Sequence, residues 1–139
     1  MRRRSVDSVI KEMKHLIGDY DAISLDIVDG TFTYDMRYLR DFCRRMLDEN
    51  IKIKWRCTAR YDNITEELLD LFKQTNCAGL YFGLESGSER MLKRINKKIT
   101  IDGIIRANDL VHQSGIKSIT SVLLGLPDEE EIDIEEIPF

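Results

Sequence analysis

The feature that most constrains this chain is a repeating cycle. A short stretch of alternating or continuous apolar residues is followed by a turn, then by a helical stripe, and the cycle begins again. The short stretches start near residues 22, 52, 79 and 118, so the period is about 30 to 40 residues, the length of a βα unit. In "AISLDIVD" (22–29), Ile23, Leu25 and Ile27 alternate with Ser24 and Asp26. "IKIKWRC" (51–57) alternates in the same way, and "IKSITSVLLGL" (116–126) is the fourth stretch. "CAGLYFGL" (77–84) is nearly all apolar, which predicts a strand covered on both faces.

Between these stretches apolar residues recur at helical spacing. Val6, Val9, Ile10, Met13 and Ile17 follow Ser5, with Gly18 as a stop. Met36, Leu39, Phe42, Cys43, Met46 and Leu47 form a stripe between Asp35 and Asn50. Thr65 suits an N-cap, with Glu66 and Glu67 favourable in the first turn ahead of Leu68, Leu69, Leu71 and Phe72. Ser88 is placed to cap a short helix carrying Met91, Leu92 and Ile95. Thr100 opens a last helix that Gly115 ends. A run of βα units implies parallel strands with right-handed crossovers in one α/β domain. An open doubly wound sheet and a (β/α) barrel both satisfy the pattern, and both gather ligands where strands end and helices begin.

Composition removes several classes of function. The 139 residues allow one domain with a real core. A net charge of −4, from 21 basic and 25 acidic residues in mixed order, leaves no basic footprint for nucleic acid. No stretch approaches the roughly 18 apolar residues of a membrane span, so no membrane partner is expected. Met1-Arg2-Arg3-Arg4 leads into Ser5-Val6-Asp7-Ser8, which is no signal peptide, and the expected location is the cytoplasm. Cys43, Cys57 and Cys77 form no CxxC or CxxxCxxC pair and read as reduced, small apolar residues. His15 and His112 fall inside helical patterns and read as surface positions. Neither GxxxxGK[ST] nor GxGxxG occurs, which argues against a nucleoside triphosphate or a dinucleotide.

The candidate functional residues are therefore those at the strand ends. They are Asp29-Gly30-Thr31, then Arg60 with Asp62 nearby, then Glu85-Ser86 with Gly87-Ser88, then Leu124-Gly125-Leu126-Pro127 with Asp128. Each has a purely structural reading. Asp29-Gly30 is a common turn pair, and Arg60 can pair with Asp62 or Glu85. Ser86 and Ser88 can be helix caps, and Gly125-Leu126-Pro127 can be a strand stop. Four polar tips on one rim suit a different task, binding a small zwitterion joined to a nucleoside. Carboxylates accept from an ammonium or from ribose hydroxyls, and an Arg meets a carboxylate in a fork.

The pieces "IVDGTFTYD", "WRCTARYD", "GLYFGLESGSERMLKRINK" and "SVLLGLPDEEE" resemble the middle of a radical SAM domain, of the type often fused to a cobalamin-binding domain. The resemblance runs from about Arg2 to Glu131. It implies a partial (β/α) barrel of the radical SAM type, with about four parallel strands present, matching strands two to five of the family barrel. Residues 1–131 would be the partial core and 132–139 an acidic tail. At full length it implies a [4Fe-4S] cluster and S-adenosylmethionine, cleaved reductively to a 5'-deoxyadenosyl radical, with cobalamin as a candidate further cofactor. By the same resemblance Asp29 and Thr31 lie near the methionine amino group and Arg60 near its carboxylate. Glu85 and Ser86 lie near the ribose and the methionine end, and Leu124, Gly125, Leu126 and Pro127 along the adenine edge. The family's CxxxCxxC loop does not occur in these residues. The expectation is an inactive stretch of a longer enzyme, holding no cofactor by itself and self-associating through an exposed strand edge. The competing readings are a non-catalytic flavodoxin-like or receiver-like α/β binding module, and a piece of an aldolase-type barrel. The lack of a strand-end Lys for a Schiff base weighs against the second.

Overall fold

The computed structural model describes residues 3–136. Its helices are α1 (Val6–Tyr20), α2 (Met36–Asp48), α3 (Glu66–Gln74), α4 (Glu89–Arg94), α5 (Ile101–Ser114) and α6 (Glu131–Glu135). The strands are β1 (Ser24–Ile27), β2 (Lys54–Ala59), β3 (Cys77–Glu85) and β4 (Lys117–Val122). All pairings are parallel, and the sheet order is β1-β2-β3-β4.

That order separates the two architectures the sequence left open. A doubly wound sheet reverses its strand order at a switch point and carries helices on both faces. This sheet has no reversal, and one face carries the helices. Leu25, Ile27, Trp55, Cys57, Ala59, Leu80, Phe82 and Leu84 join a single apolar cluster with Ile10 of α1, Phe42 of α2, Phe72 of α3 and Val111 of α5. The alternating set Asp26, Arg56, Thr58, Tyr81, Gly83 and Glu85 lies outside that cluster, on the other face. Sequential parallel strands with helices on one side make the wall of a (β/α) barrel. The expectation that β3 is covered on both faces is corrected here. Its burial alternates along the strand because Tyr81, Gly83 and Glu85 turn to the uncovered side.

Trp55 anchors the covered side. Its ring meets Phe42, Phe72 and Phe32 edge-on at centroid distances of 5.4, 5.2 and 6.0 Å, an arrangement aromatic quadrupoles favour. Its indole N–H donates to the Thr75 carbonyl at 2.7 Å, so the buried donor is satisfied.

Helix starts follow local chemistry. Ser5, Thr65 and Thr100 accept from the Ser8, Leu68 and Gly103 amides as N-caps. Asp35 does the same for Arg37 and Tyr38. Gly115 ends α5 at φ +78°. Several boundaries differ from expectation. α1 passes Gly18 and stops at Tyr20, with Asp21 in the left-handed region. β2 begins at Lys54 and runs on to Ala59, because its partner residues on β3 reach Phe82. β4 stops at Val122, so Leu124–Pro127 lie beyond the ladder. Leu47, expected on the inner stripe of α2, is 44% exposed. Ser88 occupies the N-cap position of α4, but its hydroxyl donates to Asp133 at 2.6 Å and caps nothing. α6 (131–135) overlaps the acidic tail expected over 132–139, and Asp133 is buried, while residues 137–139 lie outside the described residues. Among the described residues no helix is long and apolar enough to cross a membrane.

Candidate functional site

The carboxyl ends of the strands enclose a cleft of about 250 Å³ on the uncovered face of the sheet. Gly30 and Thr31 from the β1 exit, Thr58 to Asp62 from β2 and its exit, and Tyr81, Phe82, Gly83 and Glu85 from β3 line it. Ile119 and Ser121 of β4, with Lys97 and Ile99 between α4 and α5, complete it.

The β2 wall is held by hydroxyls. Thr58 donates to the Asp29 carbonyl and accepts from the Phe32 amide at 3.3 Å. The Thr33 hydroxyl accepts from the Arg60 amide at 3.2 Å, and Asn63 donates to the Thr33 carbonyl at 2.9 Å. These bonds sew the β1 exit loop to the tip of β2. Thr31 sits in that loop, its amide donating to the Asp29 carboxylate at 3.3 Å. The Arg60 guanidinium makes a two-pronged contact with Asp62, at 2.8 and 2.6 Å. That contact holds the Asp62 carboxyl below the usual carboxylate range and raises Arg60 further. The pairing anticipated as a structural alternative for Arg60 is therefore present.

The β3 wall carries a strained residue. The pairing with β4 shifts between Gly83 and Glu85, and Glu85 adopts φ +70°, a region non-glycine residues seldom occupy. Its carboxylate folds back along the strand. Lys97 donates to Glu85 Oε1 and to the Gly83 carbonyl, each at 2.7 Å. A Cβ on residue 83 would stand 2.6 Å from Glu85 Oε1, so the glycine makes room for the carboxylate. Beneath both walls Tyr61 stacks on Phe82 at 4.2 Å, and its hydroxyl shares a 2.9 Å hydrogen bond with Thr120.

Of the residues expected from the sequence, Thr31, Arg60 and Glu85 line the cleft. Asp29 faces the neighbouring groove between α1 and β1. Ser86 is buried, its hydroxyl accepting from the Ser88 amide at 3.2 Å. Leu124, Gly125, Leu126 and Pro127 do not line the cleft; Gly125 turns the chain there at φ +80°. Sequence reasoning missed Lys97 and Ser121. Thr58 was legible at the second strand end, as the residue two before Arg60 and hence on the same face. Lys97 was not, since it reaches Glu85 across an intervening helix.

The cleft thus presents Arg60 and Lys97, each paired with a carboxylate that a ligand can displace, several hydroxyls, and an apolar floor. A zwitterion suits it: its carboxylate can replace Asp62 on Arg60, and its ammonium can replace Lys97 on Glu85. The three cysteines serve a different place. All are free and buried, and burial pushes the Cys43 thiol up to about 12 and raises Cys57 well above its usual value. Neutral thiols packed in the core are poor metal ligands. Among the described residues no three His, Cys, Asp or Glu side chains gather to hold a metal ion. The residues present therefore fit S-adenosylmethionine and do not fit an iron–sulfur cluster.

A wall of sequential parallel strands with a charged cleft at its carboxyl end is an arrangement of the (β/α) class, in which ligand sites gather at the strand carboxyl ends. The family profile of the Radical SAM superfamily matches residues 1–137, and the chain belongs to that superfamily. It is 31% identical over 134 residues to an uncharacterized methyltransferase of Pyrococcus horikoshii, covering 96% of this chain and 29% of the relative. It is 26% identical over 137 residues to an anaerobic magnesium-protoporphyrin IX monomethyl ester cyclase of Rubrivivax gelatinosus, covering 97% and 25%. The chain thus spans little more than a quarter of the length of these relatives. The cobalamin-dependent S-adenosylmethionine radical enzyme OxsB, solved with aqua-cobalamin bound, superposes with a TM-score of 0.81 at 22% identity, over 97% of this chain and 22% of that one. The radical S-adenosylmethionine methyltransferase TsrM of Kitasatospora setae, solved with cobalamin and a [4Fe-4S] cluster, gives 0.79 at 20% identity, over 94% and 27%. These likenesses show the shared fold and bear out the partial barrel.

Proposed function

We propose that the cleft is part of the S-adenosylmethionine site of a radical SAM enzyme. The observation that carries this reading is the meeting of two exchangeable ion pairs, Arg60–Asp62 and Glu85–Lys97, on the uncovered side of the sheet. Arg60 receives the methionine carboxylate in a fork, and Glu85 receives the ribose hydroxyls or the ammonium. Asp29 orders the Thr31 loop beside the amino group, Ser86 braces the turn that follows Glu85, and Leu124–Pro127 supply the adenine edge. About 250 Å³ lies just under the roughly 300–1,000 Å³ of a complete small-molecule pocket, so these walls enclose part of the ligand.

Among the described residues no side chains gather to hold a metal ion, and the 139 residues are expected to be inactive by themselves. With the cluster in place, the superfamily's chemistry is reductive cleavage of S-adenosylmethionine, and cobalamin is a candidate second cofactor.

The test is made on the complete native protein, purified without oxygen. It is expected to show iron–sulfur absorbance and, on reduction, to yield 5'-deoxyadenosine or methylated product from S-adenosylmethionine. Failure of both would overturn the reading. Glu85→Ala is expected to weaken S-adenosylmethionine binding at least tenfold while the circular dichroism spectrum stays that of the parent.

A further inference from the structure

Helix α4 has six residues, yet two of its arginines reach into the segment that follows β4. Arg90 and Arg94 are four residues apart and share a face. Arg90 Nη2 donates to the Asp128 carbonyl at 3.0 Å, and Arg94 Nη2 donates to the Asp128 carboxylate. Arg90 also grips Asp133, which is 2% exposed. Both oxygens of that carboxylate are fully used. Oδ1 accepts from the Ser88 hydroxyl at 2.6 Å and Arg90 Nε at 3.2 Å; Oδ2 accepts from Arg90 Nη2 and from the Glu130 amide at 2.9 Å.

Asp133 is buried while Arg90 stays half exposed, and such a pair adds little net stability, since desolvation of the carboxylate offsets much of the attraction; what it fixes is geometry. The geometry fixed is that of the turn between β4 and α6. Among the described residues, the last backbone bond from this segment to β3 runs from the Leu123 amide to the Glu85 carbonyl, at 2.8 Å. The turn then bends at Gly125 and Asp128, both at positive φ, closed by the Gly125 amide on Glu129 Oε2 at 2.6 Å. Its distance from the Glu85 tip depends on what α4 holds, and α4 begins four residues after Glu85.

We propose that Arg90, Arg94 and Asp133 are positioning residues that clamp the Gly125–Asp128 turn to α4, so that a ligand spanning Glu85 and this turn binds tightly only while the clamp is closed. The ligand is S-adenosylmethionine, and to that extent the inference rests on the reading above.

Two measurements on Arg94→Ala and Asp133→Asn test it. Arg94 is 62% exposed, so its loss leaves the fold intact. In the 139-residue chain, amide order parameters of residues 124, 125, 126, 128 and 129 are expected to fall below about 0.6, with those of β3 staying near 0.85. In the complete native protein, calorimetric titration with S-adenosylmethionine is expected to show about a tenfold loss of affinity in both variants, and near-parent affinity in Arg94→Lys at unchanged Tm. A turn as rigid as the parent's in both variants overturns the clamp. A mobile turn with undiminished affinity overturns the positioning role. A parent protein that does not bind S-adenosylmethionine overturns the proposed function and the ligand named here, with the order parameters still reporting separately on the clamp.

Discussion

Glu85 holds a backbone conformation that its type disfavours. Among the described residues the other non-glycine positions at positive φ are Asp21, Asn50, Asn76, Asn96 and Asp128, and short Asn and Asp side chains tolerate that region far better than Glu does. Strain kept at such a position is commonly tied to function. Here it aims the carboxylate back over Gly83 into the cleft, where Lys97 meets it. Glu85→Gly and Glu85→Ala both remove the ion pair, so their difference isolates the backbone. Glu85→Gly is expected to be more stable than Glu85→Ala by about 1 kcal/mol in urea unfolding, with both losing ligand affinity. Equal stabilities would show that position 85 carries no strain. The place of Glu85 at the cleft was legible in the sequence, as a carboxylate ending an apolar run. Its partner was not: Lys97 lies beyond α4, and nothing in "RINKKIT" distinguishes Lys97 from Lys98. Arg60 was legible with its alternatives, because Asp62 is a local neighbour.

The elements themselves were legible wherever the signal is local. Thr65, Thr100 and Gly115 cap helices as read, because capping involves one side chain and the next few amides. Strand ends were misplaced because a ladder stops where its partner stops, and that is set by residues distant in sequence. Residues 132–139 read as an acidic tail, yet Arg90 and Ser88, more than 40 residues earlier, draw Asp133 into α6's contact with α4. That contact carries a pH signature. The Arg90 and Ser88 hydrogen bonds hold the Asp133 carboxyl well below its ordinary value near 3.8. A group depressed in the folded state stabilises it above the unfolded pKa, and the stabilisation is lost as pH falls below that value. Between about pH 4.5 and 2.5 the unfolded chain therefore takes up a proton at this position that the folded chain does not. Asp133→Asn is expected to flatten the decline of unfolding free energy across that interval by up to about one proton, measured by urea titration at successive pH values. An unchanged slope would mean that the Arg90–Asp133 contact is absent in solution.

At the scale of the molecule, the cleft and the exposed edges arise from the same geometry. A barrel wall of four strands leaves one face bare, and that face presents the charged cleft. It also leaves β1 paired on one side only among the described residues, since its ladder runs to β2 alone. The residues flanking that edge are apolar and open, Ile23 at 88% and Val28 at 93% exposure. Natural sheets blunt free edges with charges, prolines or a covering segment; β1 has Asp26, but Asp26 is occupied across the sheet by Arg56 at 2.6 and 2.8 Å. An edge with free backbone donors and acceptors, flanked by exposed Ile and Val, is a template on which another chain can pair. The 139-residue chain is expected to self-associate, its weight-average mass in light scattering rising from that of a monomer as concentration increases. Val28→Lys places a charge beside the edge and is expected to move the transition to at least tenfold higher concentration. Mass that stays monomeric across the whole dilution series would refute edge pairing. Association that persists undiminished in Val28→Lys would place the contact on another surface, with the uncovered face near Ile119 and Leu123 the next to substitute, since both are nearly half exposed.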